Sequence, residues 1–173
     1  MSNEEVVDIY DENKNKIGKK KIRHKDKLEL GEYIIGIQAI ILNSKKQILI
    51  SQRSELKEKA PLKWECNGGA LLSGESVLDG LIREIYEELG IQLNKENAIF
   101  LKTAKNAYRF KEIYLFEKDI EIDELKFEDG EVISAKWVTI KEFINMFKSG
   151  EIVSNVDFDE KDYIKCLSLL NKN

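Results

Sequence analysis

Three carboxylates, Glu84, Glu87 and Glu88, lie within five consecutive residues, in a segment whose apolar positions repeat with helical spacing. With Glu84 at zero and about 100° per residue, Glu87 falls at about −60° and Glu88 at about +40°, so all three share one narrow face. Leu78, Leu81, Ile82, Ile85 and Leu89 fall between about +60° and +160° and form the stripe expected to meet a core. Like charges one turn apart cost a few tenths of a kcal/mol on an exposed helix. A hard divalent cation reverses the sign of that interaction, because Mg²⁺ takes oxygen ligands. The competing reading is a solvated acidic face with Arg83 as its salt-bridge partner. Gly80 falls on the carboxylate face, one turn before Glu84. A mid-helix glycine costs about 1 kcal/mol relative to alanine, so it is expected either to leave room for ions and phosphate or to mark a tight packing contact.

From Gly69 the chain reads Gly69, five residues, Glu75, seven residues, then Arg83-Glu84-Ile85-Tyr86-Glu87-Glu88-Leu89-Gly90-Ile91. This resembles the signature of the Nudix hydrolases, G-x5-E-x7-R-E-U-x-E-E-x-G-U with U apolar, at every position. The resemblance implies an α/β/α sandwich with a mixed sheet and a central signature helix. It implies that Glu84, Glu87 and Glu88 hold Mg²⁺ or Mn²⁺, with Glu84 also a candidate base and the Gly68 carbonyl a further ligand. Arg83 would orient the carboxylates, Glu75 would brace the join of loop and helix, and Gly69 would permit the loop's turn. Many members bring another acid from a late loop ahead of a tryptophan-bearing strand, and Glu131, six residues before Trp137, is the candidate. The implied reaction is metal-dependent attack of water on a diphosphate linkage in a nucleoside diphosphate-X type molecule. Arg53, at a strand end, is a candidate to clamp phosphate bidentately, the alternative being a surface ion pair.

A weaker resemblance, carried by Asp8-Ile9-Tyr10-Asp11, Gly31-Glu32-Tyr33, Gln52-Arg53-Ser54 and Lys63-Trp64-Glu65, points to the branch related to isopentenyl-diphosphate isomerase. That isomerase uses a catalytic Cys and several His. Here His24 is the only histidine, Ile34 stands where a ligand His is expected, and Cys66 has different flanking residues. An isomerase-like enzyme and a non-catalytic nucleotide-binding module remain the alternatives to a hydrolase. Retention of Glu84, Glu87 and Glu88 favours hydrolysis. Tyr108 lies 17 residues past Ile91, where dinucleoside polyphosphate hydrolases carry a Tyr, and is a candidate substrate contact. Trp64 is a candidate for base stacking or for core packing. The only proline is Pro61, so the proline typical of ADP-ribose hydrolases downstream of the signature is missing.

The elements that must position these groups are legible from pattern. Strands are expected at 6–10, 16–18, 33–42, 47–52, 99–103, 108–117 and 132–138. Helices are expected at 75–89, stopped by Gly90, then from Thr139 with a Thr139–Glu142 capping box, and at 159–170 with Ile164, Leu167 and Leu170 inward. Residues 1–30 read as an N-terminal extension with short strands and 31–173 as the catalytic domain. The run 19–27 carries Lys19, Lys20, Lys21, Arg23, Lys25 and Lys27, and is either a phosphate-binding arm or a solvated loop.

A chain of 173 residues is long enough to bury a core without disulfides. Cys66 and Cys166 form no metal-binding spacing, and a reduced, cytoplasmic setting is expected. No signal peptide or bilayer-spanning run is legible. The net charge of −4 argues against nucleic acid as a partner. The expected partner is a small nucleotide-like diphosphate, and a homodimer is compatible with the reading.

Overall fold

The structure is a computed structural model, and it describes residues 4–172. Its centre is β3 (Ile34–Leu42), buried along all nine residues. A strand buried on both faces needs a continuous apolar run rather than an alternating one, and Ile34-Ile35-Gly36-Ile37-Gln38-Ala39-Ile40-Ile41-Leu42 supplies it. β3 pairs in parallel with β8 (Arg109–Glu117) and antiparallel with β4 (Ile48–Arg53) and β6 (Gly68–Ala70). β7 (Ile99–Lys105) extends the sheet beyond β8, while β5 (Trp64–Glu65) and β9 (Val132–Val138) both pair with β4. The sheet is therefore mixed, as expected.

Alternation along β3 divides the core. Ile35, Ile37, Ala39 and Ile41 pack with Leu81, Ile85 and Leu89 of α1 (Val77–Leu89). Ile40 and Leu42 pack on the other face with Phe143 and Met146 of α2 (Ile140–Lys148) and Cys166 of α3 (Glu160–Leu170). This gives the α/β/α sandwich. Ser76 caps α1 by accepting from the Asp79 amide, and Gly90 ends it at φ 71°. The helix thus starts two residues later than expected, leaving Glu75 in the preceding loop. The Thr139–Glu142 capping box forms as expected. In α3 the inward face is Tyr163, Cys166, Leu167 and Leu170, whereas Ile164 is exposed. The Tyr163 hydroxyl donates to the Lys46 carbonyl at 2.8 Å, which fixes the helix's rotation.

β1 (Val6–Tyr10) and β2 (Lys16–Ile22) form a separate hairpin. Val7 and Ile9 pack against Ile34 and Ala70, so the hairpin covers the start of β3 on the face away from α1. β2 runs to Ile22 rather than stopping at 18, which places half of the basic run in a strand. Lys19 and Lys21 both reach Glu32, Arg23 pairs with Glu5 and Lys25 with Glu4. The Glu29 amide and the two lysines hold the Glu32 carboxyl down at about 2. Most of the basic run therefore fastens the hairpin and is not a free phosphate-binding arm.

Gly80 proves to be a packing contact. A Cβ there would lie 2.9 Å from Glu75 Oε2, 3.0 Å from Leu71 Cδ1 and 3.2 Å from Ile37 Cδ1. Overpacking costs roughly 1–3 kcal/mol and outweighs the helix-propensity gain of about 1 kcal/mol. Gly80→Ala is expected to lower the melting temperature by a few degrees, read from a thermal melt. A rise would mean that the site relaxes freely.

Candidate active site

The turn from β6 into α1 is built by one arginine. Arg83 Nε donates to Glu75 Oε1 at 2.6 Å and Nη2 to Glu75 Oε2 at 3.1 Å, while the Leu72 amide donates to the same carboxylate at 3.0 Å. Arg83 also pairs with Glu87 at 2.8 Å and Glu84 at 3.2 Å. It therefore ties the loop to the helix and spaces two of the three carboxylates.

Glu84 is buried and lies against Gly69, where a Cβ would fall 2.3 Å from the Glu84 carboxyl carbon. The Ala70 amide donates to Glu84 Oε1 at 3.4 Å. Burial pushes the Glu84 carboxyl up, with Arg83 opposing. Glu88 is half-buried; burial first, then the neighbouring Glu84, Glu65 and Glu131, push its carboxyl well above the usual carboxylate range. Lys57 opposes this shift. Glu87 is exposed at the rim.

These carboxylates line one end of a cleft of about 730 Å³ that runs from α1 across β6 onto the far face of the sheet. Nine glutamates line it against seven Lys and Arg side chains. The excess of oxygen donors, with Glu84 and Glu88 withdrawn from water, fits a hard divalent cation. Among the described residues no three acidic, His or Cys side chains are already gathered into a metal cage. Glu87 is held by Arg83, so the donors share a cleft without converging.

The remaining expected site residues separate. Glu131 lines the cleft, arriving on the loop between β8 and β9, and pairs with Lys57. Gly68 lines it too. Arg53 also lines it, yet its guanidinium is committed: Nη1 donates to Glu65 at 2.8 Å, and Nε and Nη2 donate to the Lys59 and Ala60 carbonyls. It closes the loop between β4 and β5 instead of offering a free fork to phosphate. Tyr108 is exposed in the turn before β8 and lies outside the cleft lining. The strand that faces the cleft begins one residue later, at Arg109. Trp64 packs on the core. Gln38, Glu65, Lys57 and Arg109 reach the cleft without having been given a site role by the sequence, and Arg23 reaches it from the basic run. The available signal was Gly36, which interrupts a β-branched run and marks a close approach.

Cys66 borders the cleft but is buried in the core behind the sheet, and burial pushes its thiol far up. A thiol held neutral is a poor nucleophile. Cys66→Ala is expected to keep turnover within about threefold, at a cost of roughly 1–2 kcal/mol in stability. A hundredfold loss in steady-state rate by a folded variant would reverse this reading.

The family profile described as NUDIX domain matches residues 32–155. An uncharacterized Nudix hydrolase of Listeria monocytogenes is 34% identical over 154 residues, covering 86% of this chain and 88% of that protein. Nudix hydrolase 6 of Arabidopsis thaliana is 30% identical over 115 residues, covering 64% of this chain and 41% of that protein. The fold is similar to that of a crystal structure from Deinococcus radiodurans, with a TM-score of 0.73 at 22% identity, covering 86% of this chain and 92% of the other. With the signature intact, its carboxylates in one cleft and a profile match over most of the chain, this protein belongs to the Nudix hydrolases, enzymes that cut pyrophosphate bonds.

Proposed function

We propose that this enzyme hydrolyses a diphosphate linkage in a nucleoside diphosphate-X type small molecule, with Mg²⁺ or Mn²⁺ as its cofactor. The observation that carries the reading is the buried Glu84 and the half-buried Glu88, crowded by Glu65 and Glu131 in a cleft that also carries arginines and lysines. Glu84, Glu87 and Glu88, with the Gly68 carbonyl, would hold the ion. When bound, it supplies charge neutralisation at the phosphate oxygens and a more acidic water. Arg83 keeps Glu84 and Glu87 in register and pins the Gly69–Glu75 loop through Glu75. Glu84, and Glu131 entering from a separate loop, are the candidates to take the proton of the attacking water. The same reading treats residues 31–173 as the hydrolase domain and 1–30 as an addition to it.

The test is phosphate release in Mg²⁺, coupled to a phosphatase, across nucleotide sugars, dinucleoside polyphosphates and nucleoside triphosphates. Turnover of at least one diphosphate ester, abolished by chelation, is expected. No turnover across the panel would remove the nucleotide part of the proposal.

A further inference from the structure

On the face of the sheet away from α1, the hairpin and the α2–α3 layer cover opposite ends of β3. Between them Gln38, Arg109 and Lys111 line the cleft, with the Arg109 side chain lying against Gly36. Lys111 is satisfied by the Asn155 carbonyl and Asp157, but the other polar groups there keep donors without partners. Gln38 is 4% exposed, and its Nε2 has no hydrogen-bond partner. Arg23 enters from the end of β2; its Nη1 pairs with Glu5 at 2.7 Å, but its buried Nε donates to nothing. Arg109 lays its stem across β3, where a Cβ on Gly36 would lie 2.9 Å from Arg109 Cδ. Among the described residues no hydrogen bond or ion pair reaches its guanidinium. The one carboxylate within range, Asp157, is taken by Lys111 at 2.7 Å.

We propose that Arg109 and Arg23, with the Gln38 amide, form an anion subsite that takes the substrate phosphate lying away from the metal-binding carboxylates. The N-terminal hairpin is then part of the active site and not only an extension beside it. This rests on the diphosphate-hydrolase reading. Gln38 pairs with Gly68 of β6 and faces away from α1, and the next residue, Gly69, lies against the Glu84 carboxylate on the α1 side. The short strand β6 therefore lies between the two ends of the cleft, and residues of both ends line it. Two guanidiniums facing one cleft repel, and burial with the Arg23 charge weakens the Arg109 cation. A phosphate between them turns that repulsion into two attractions. It also satisfies planar donors whose fork geometry matches phosphate oxygens.

The test is isothermal titration of inorganic pyrophosphate into metal-free protein in chelator, so that neither hydrolysis nor the metal contributes. Wild type is expected to bind, and Arg109→Gln and Arg23→Gln each to weaken the Kd at least tenfold, with Arg109→Lys recovering part of the loss. Lys148→Gln, on α2 outside this cleft, should bind as wild type. Because Arg109→Gln removes one of two repelling cations and breaks no ion pair, its melting temperature should hold or rise, whereas Arg23→Gln also loses the Glu5 pair and is read by binding alone. A purely structural role for Arg109 would lower it. Wild type that binds no pyrophosphate, or Gln variants that bind it as wild type does, would overturn the subsite while leaving the diphosphatase reading standing. Failure of the nucleotide panel with pyrophosphate binding intact would remove the substrate assignment and keep the subsite.

Discussion

Glu88→Gln is expected to cut turnover by about a thousandfold or more and to weaken Mg²⁺ binding strongly, without unfolding the protein. Glu88 faces away from the α1 core stripe and sits among Glu84, Glu65 and Glu131. Its charge is costly to the fold without a cation. The amide keeps the shape and removes the charge, so the metal-free variant should melt at the same temperature as wild type or higher. With the proposed metal site, Mg²⁺ is expected to bind only the folded wild type tightly and so to raise its melting temperature with concentration. The same titration should leave Glu88→Gln nearly unmoved. Calorimetric Mg²⁺ titration and a steady-state rate on one substrate check both halves. A variant that binds metal and turns over as wild type would sink the carboxylate assignment.

The second large effect is steric and falls on a residue with no side chain. In Gly69→Ala the new Cβ would lie 2.3 Å from the Glu84 carboxyl carbon and 2.4 and 2.6 Å from its oxygens. No real contact is that short, so the carboxylate must swing away from the Ala70 amide and from Arg83. Turnover is expected to fall by about a hundredfold, in keeping with what a misplaced catalytic group costs. The fold should survive, because a side-chain end can move. Gly68→Ala is the contrasting case. Its Cβ would lie 2.1 Å from the Ile37 carbonyl oxygen and 2.8 Å from Gln38 Cα, and backbone in a central strand cannot yield. Melting curves should therefore show a modest loss for Gly69→Ala and a large one for Gly68→Ala. Equal activity in Gly69→Ala and wild type would mean that Glu84 does not work from the position it holds here.

Much of the site was legible in the sequence because its spacing is local. Glu84, Glu87 and Glu88 lie within five residues, so helical geometry alone puts them on one face. Glu75 and Arg83 meet across eight residues of one loop and helix. The β3 run and the Thr139–Glu142 box are equally local, and both formed as read. Other assignments depended on neighbours distant in the chain. Helical periodicity put Gly80 beside the carboxylates, but Leu71 and Ile37, which crowd it, come from another loop and another strand. Arg53 reads as a phosphate clamp until the chain folds back and Glu65, Lys59 and Ala60 take its donors. Tyr108 and Arg109 are adjacent in sequence, yet the strand boundary between them sends one to solvent and the other into the cleft. Arg23, in the turn after β2, and Arg109, at the start of β8, are 86 positions apart yet line one cleft. A pattern of period 3.6 or 2 specifies which way a side chain leaves its own element. What it meets there is decided by packing, since close-packed interiors allow a side chain only the space that non-local neighbours leave.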